Sequence, residues 1–265
     1  MDSGLKRFLD LETLFMKHLR LYHHPVGIFF EEKGKNRIVP ELVPKNRLSF
    51  CQLLAFVREV GESVRLEANR LGCITAADVF GFKNEREKAI KTLKNYLSPS
   101  EAESFYDVRP RFALGEIESV VLAPLGKCSE EPDVVVMVLD GLQAMHLLDF
   151  YAKAQDMSEI PLSHNVNGAA CANAVKALKK NGPQLALPCP GAFTSGKMER
   201  GELILAFPWK AFLKVAKVLE EKAEKGRVSL LGGEELVGND VCRNCPLIKF
   251  EKVAEGEKCG QEAHT

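Results

Sequence analysis

The chain has 265 residues, 46% of them hydrophobic and 27% charged, which is globular composition with room for one large domain or two small ones. Lys plus Arg and Asp plus Glu balance at 36 each, so no net field draws the chain to nucleic acid or anionic lipid. Its longest apolar run, Val134–Leu139, is far too short to span a bilayer.

Residues 5–22 read as an amphipathic helix with Leu11, Leu14, Phe15 and Leu19 on one face. This stretch has no signal-peptide core, so the expected location is the cytoplasm. Residues 25–30 read as a short buried strand, and 31–47, with Pro40 and Pro44, as an irregular charged segment. A helix is predicted from about Ser49, with Leu53, Leu54, Val57 and Val60 on one face and Gly61 as its stop. A strand over 63–66 leads to Cys73, and a charged helix over 83–97 ends before Pro99. Strands are predicted over 118–123 and 134–139, both rich in β-branched residues. A helix over 141–153 carries Leu142, Met145, His146 and Phe150 at helical spacing. After a polar loop containing His164, a helix starts near Gly168 or Ala169 and stops at Asn181-Gly182. Strands over 184–187 and 203–207 follow, the first leading to Cys189, and then a helix over 208–222 opened by Pro208. The last forty residues, with Gly232-Gly233, look irregular. The alternation predicts an α/β or α+β fold, with mixed sheets covered by helices.

The two halves share a layout. In residues 1–115 a buried strand precedes a helix with Cys51 near its start, a glycine stop, a strand and Cys73. In residues 116–225 the same order, with an extra helix after the buried strand, places Cys171 at a helix start, Gly182 as the stop, and Cys189 after a strand. Residues 226–265 form a separate cysteine-containing tail. An internal duplication of this kind predicts two units packed about a pseudo-twofold axis, with matching elements meeting near it. Helix starts offer free N–H groups that favour thiolates. Four cysteines so placed are the expected ligands of one metal site. An iron–sulfur cluster, 4Fe–4S, leads, because zinc ribbons bring their ligands as close C-x-x-C pairs and these four are dispersed. Eight cysteines in a cytoplasmic chain point to metal ligation rather than disulfides. A zinc site and a metal-free interaction module whose cysteines are small core residues remain the alternatives.

The chain also resembles a known family. Pro25-Val-Gly-Ile-Phe-Phe30, Cys51-Gln-Leu-Leu-Ala-Phe with Cys73 beyond it, Pro132-Asp-Val-Val-Val-Met137 with Gln143-Ala-Met145, and Cys171-Ala followed by Leu187-Pro-Cys189-Pro-Gly-Ala192 look like the archaeal and anaerobe-rich cysteine-containing family catalogued as domain of unknown function 169. The similarity covers about residues 20–210. It implies a cytoplasmic protein of anaerobic metabolism whose recurring cysteines fall on Cys51, Cys73, Cys171 and Cys189. Cys73 departs from the pattern in being followed by Ile-Thr rather than by proline or glycine.

Other candidates are weaker. Cys242-Arg-Asn-Cys245-Pro, with Cys259 and His264, is a second candidate site for a cluster or zinc. Cys128, in a polar stretch, reads as a lone thiol. His23 and His24 read as interfacial or solvated, and His146 as core. His164 is the histidine nearest the Cys171 helix in sequence and a candidate proton donor. Glu199 and Glu202 read as turn carboxylates that could act as acid or base. No P-loop, dinucleotide fingerprint or Ser-His-Asp arrangement is present. The expected partners are a redox protein or a small-molecule substrate. Nucleic acid and membrane are not expected, and a homo-oligomer stays open.

Overall fold

The computed structural model describes residues 3–34, 42–162 and 167–226. His164, the Gly232-Gly233 pair, Cys242, Cys245, Cys259 and His264 lie outside them.

Strand β1 (Val26–Glu32) is followed by β2 (Val64–Glu67), β3 (Ile117–Pro124), β4 (Val134–Leu139), β5 (Gln184–Ala186) and β6 (Leu203–Pro208). They form one six-stranded sheet in the order β2-β3-β1-β4-β6-β5. Every pairing between these strands is antiparallel, where the sequence predicted mixed sheets. The apolar runs misled because continuous burial is the usual mark of parallel strands. Here it arises because helices cover both faces. Side chains alternate across the sheet: Val134, Val136 and Val138 enter one core, and Val135, Met137 and Leu139 the other.

Read outward from the β1–β4 pair, both halves have the same order. β3, which lies beyond residue 115, sits in the first set of three. The register repeats as well: Val26 faces Pro124 in one half and Val134 faces Pro208 in the other. One common sequence spacing, different from that between Val26 and Val134, relates Val64 to Gln184, Cys51 to Cys171 and Gly61 to Asn181. Gly61 therefore corresponds to Asn181, not Gly182. Both cap their helices in the left-handed region, at φ 77° and 51°, which glycine and asparagine tolerate best.

On one face lie α2 (Phe50–Val60), α3 (Ile74–Val79), α7 (Cys171–Lys180) and α8 (Pro190–Ser195); on the other lie α1 (Ser3–His18), α6 (Gly141–Gln155) and α9 (Trp209–Glu224). Local chemistry sets several boundaries. Ser49 and Gln52 form a reciprocal capping box at the start of α2, and Asp140 and Gln143 do the same for α6. The helix expected over 83–97 is present but shorter, α4 (Arg86–Leu93), and a further helix, α5 (Pro99–Val108), follows it. α4 ends before Pro99, as expected, and Pro99 itself opens α5, which Ser98 and Glu101 cap. Helices α3 and α8, six residues each, are too short to show apolar periodicity and were not expected. No described helix is long and apolar enough to cross a membrane.

Cys128 lies in the loop before β4 but is fully buried there; its Sγ–H donates to the Pro124 carbonyl 3.5 Å away. It packs over Gly27 of β1, where a Cβ would stand 2.8 Å from that sulfur and 3.2 Å from Pro132 Cβ. Gly27→Ala is expected to cost roughly 1–3 kcal/mol through overpacking, and Cys128→Ala to recover most of it in the double variant. Urea unfolding of the four proteins measures this; additive losses would show that the two positions do not share the space.

Candidate functional site

All four cysteines singled out by layout lie on the same face of the sheet, at helix starts. Cys51 is the second residue of α2 and Cys171 the first of α7, while Cys73 and Cys189 are the N-cap residues of α3 and α8. The side chains interact in every pairing: Cys51 with Cys73, Cys171 and Cys189, Cys73 with Cys171 and Cys189, and Cys171 with Cys189. Cys171 and Cys189 are buried and Cys51 and Cys73 half-buried.

Two glycines permit this approach. A Cβ on Gly168, which holds φ +85°, would lie 3.0 Å from Ala172 Cβ, 3.2 Å from Thr75 Cγ2 and 3.4 Å from Cys171 Sγ. Gly168 is thus where the α3 and α7 starts close on one another. A Cβ on Gly196, just after α8, would lie 2.7 Å from the Ala192 carbonyl oxygen and 3.0 Å from Cys51 Cβ. That contact sets α8 against α2.

The thiols are electrostatically unequal. The Cys51 thiol hydrogen-bonds Cys189, which together with burial and the other three sulfurs holds Cys51 well above its ordinary range. Burial raises Cys73, opposed by the N–H groups of Ala76 and Thr75. Burial also raises Cys171, helped by Cys73 and Cys189. Cys189 goes the other way, to about 5, chiefly because Cys51 donates to it, with the N–H groups of Ala169, Ala192 and Gly168 adding to that against burial. Without a cation the cluster therefore holds one thiolate and three thiols at neutral pH. Each further deprotonation would place like charges together in a poorly solvated site.

This has a measurable consequence for the metal-free, reduced protein. Cys189 is depressed from 9.0, so its contribution to stability is complete above pH 9 and is lost as pH falls through about 5. Cys51, Cys73, Cys171 and Cys128 are raised above the same value, so theirs is complete below pH 9 and lost on further alkalinisation. The thiol contribution therefore peaks near pH 9. Wild type should gain urea resistance between about pH 6 and 8 that Cys189→Ser does not gain. Parallel curves for the two proteins would contradict the assignment.

Soft thiolates select zinc, copper(I) and iron–sulfur centres. Among the described residues no group of three or more His, Cys, Asp or Glu side chains is arranged to hold a single metal ion. The remaining candidates have structural employment. His24 pairs with Glu12, and His23 Nε2 lies 3.4 Å from Glu202 Oε1. Glu202 Oε2 accepts from the Glu199 backbone N–H at 2.7 Å. His146 is half-buried, its ring 5.9 Å from Phe150.

Sequence reasoning passed over Gly168, Gly196 and two buried arginines. Arg58 of α2 donates from Nη2 to the carbonyls of Gly196 (3.2 Å) and Lys197 (2.9 Å), tying α2 to the segment after α8. Arg109, at the end of α5, donates from Nη2 to Asp78 Oδ2 on α3 at 2.8 Å. Each short helix carrying a cysteine cap is thus held at its far end by a buried guanidinium. No local pattern announces either contact, since the partners are far apart in sequence.

No curated protein and no solved structure is significantly similar to the chain. One family model, DUF169, described as uncharacterised ArCR, matches residues 14–218. The match takes in both halves of the sheet and all four clustered cysteines, and the chain belongs to the DUF169 family.

Proposed function

We propose that Cys51, Cys73, Cys171 and Cys189 hold an iron–sulfur cluster, a 4Fe–4S centre, placed where two duplicated units meet, and that the protein works in redox or small-molecule chemistry at that centre. The observation that carries this reading is the mutual interaction of four cysteines from matching helix starts. The donor chemistry fits. Three of the four thiols resist ionisation without a compensating cation, and a polynuclear centre supplies the positive charge that lets all four ionise. The four cysteines come from separate elements rather than from close C-x-x-C pairs, which favours a cluster over a zinc ribbon. When bound, such a centre supplies one-electron transfer or, with one iron free of cysteine, a Lewis acid.

The chain's own groups have separable tasks. The N–H groups of Gly168, Ala169 and Ala192 hold negative charge on Cys189 sulfur. Gly168 and Gly196 keep the helix starts close enough to share one occupant. Burial of Cys171 and Cys189 limits water at the inner side of the site.

Protein purified without air should be brown and contain about four iron and four acid-labile sulfide per chain. A colourless preparation with stoichiometric zinc would favour the structural-metal alternative. A metal-free preparation that takes up neither metal would leave a thiol site. The specific observation behind that last reading is the hydrogen-bonded Cys51–Cys189 pair.

A further inference from the structure

Arg109 is 4% exposed, yet its charge is only partly answered. Among the described residues Asp78 is the one carboxylate paired with it, and that carboxylate is shared. Tyr106 Oη donates to Asp78 Oδ1 at 2.8 Å, Arg109 Nη2 to Oδ2 at 2.8 Å, and Arg111 Nη1 stands 3.9 Å from Oδ2. One carboxylate thus faces two guanidiniums. The Arg109 guanidinium lies 5.3 Å from the Tyr106 ring centroid, and its Nε–H has no acceptor among the described residues. A buried cation kept with so little compensation is costly unless something anionic sits nearby.

The fold says what that is. Asp78 lies in the last turn of α3, the helix that Cys73 caps, and α3 packs on α7, which Cys171 opens. The Arg109 charge favours the thiolate of both cysteines.

We propose that Arg109 is the resident countercharge of the four-cysteine centre and sets how readily that centre accepts an electron. The proposal rests on the cluster reading above. A centre with four thiolate ligands becomes more negative on reduction. A fixed positive charge close by in a low-dielectric interior stabilises the reduced form more than the oxidised one. Asp78 works in the opposite sense, because it answers part of the Arg109 charge. Arg109 is a positioning and tuning residue, not a ligand.

The test is a redox titration of the anaerobically loaded protein, with dithionite as electron donor. Arg109→Gln should lower the midpoint potential, by about 59 mV for each tenfold change in the one-electron equilibrium. Arg109→Lys should restore it towards wild type. Asp78→Asn should raise it, and this opposite sign is one that loosened packing alone would not give. Iron content per folded chain should be the same in all of them. If Arg109→Gln fails to fold, the comparison of Asp78→Asn with wild type decides the sign. Loaded variants whose potentials are unchanged, or which all move the same way, overturn the role of Arg109 and leave the cluster standing. A wild type that takes up no iron overturns the cluster and this role together.

Discussion

Cys189→Ser is expected to hold less than about a tenth of the wild-type iron after anaerobic loading while remaining folded. Three features make this the most sensitive of the four positions. Cys189 is the one thiol already ionised near neutral pH, at about 5. The N–H groups of Gly168, Ala169 and Ala192 act on its sulfur and would lose a charged acceptor. It also receives the Cys51 hydrogen bond, so its replacement loosens a second member of the set. Serine keeps the volume and the polarity but not the chemistry, since a hydroxyl does not ionise at these pH values and is a hard donor. Cys51→Ser, Cys73→Ser and Cys171→Ser should lose iron as well. Cys128→Ser should keep it, because Cys128 packs on β1 over Gly27, in the core on the opposite face from the four. Iron and sulfide analysis with circular dichroism as the folding control measures all five. Full iron in Cys189→Ser, or loss of iron on changing Cys242 or Cys245 instead, would move the site elsewhere.

What the sequence could say about this site follows from range. Ser49 with Gln52, and Gly61 eleven positions past the start of α2 at Phe50, are local signals, and they place Cys51 correctly at a helix start. The apolar run of β4 is likewise local, and the strand has the bounds the sequence predicted. Grouping the four cysteines needed only the order of elements repeated in each half. Strand direction was not legible, because burial on both faces removes the alternation that distinguishes antiparallel strands. Cys128 is a free thiol, as the sequence suggested, but its polar neighbours Lys127, Ser129 and Glu130 gave no sign of its burial. It turns inward because the chain after β3 folds back over a glycine in β1. The arginines that secure α3 and α8 were invisible for the same reason. Arg58 meets Gly196 and Lys197, and Arg109 meets Asp78, only once the sheet has brought distant segments together.

Arg58→Met should show how far the site depends on such a contact. The side chain is 2% exposed, and its Nη2 serves two carbonyls that have no other side-chain donor among the described hydrogen bonds. Lys197, one of the two, is held at φ +48°, a conformation that costs a non-glycine residue about 1 kcal/mol or more and persists only while its surroundings enforce it. Methionine keeps the apolar stem but leaves both carbonyls without a donor, at about 1–3 kcal/mol each. A stability loss of about 2–5 kcal/mol is expected. The loss should reach the cysteines. Gly196 lies so near Cys51 that a Cβ added there would stand 3.0 Å from Cys51 Cβ, so a segment freed from α2 lets Cys189 drift from Cys51 and removes the hydrogen bond that depresses it. In the metal-free, reduced variant, the pH midpoint for alkylation of Cys189 should rise from about 5 towards 9.0. Arg58→Lys should recover part of the stability, since an ammonium can reach one carbonyl but lacks the planar fork that spans two. A variant that unfolds in the same urea concentration as wild type, with the alkylation midpoint unmoved, would mean that Arg58 fills space without holding α8 in place.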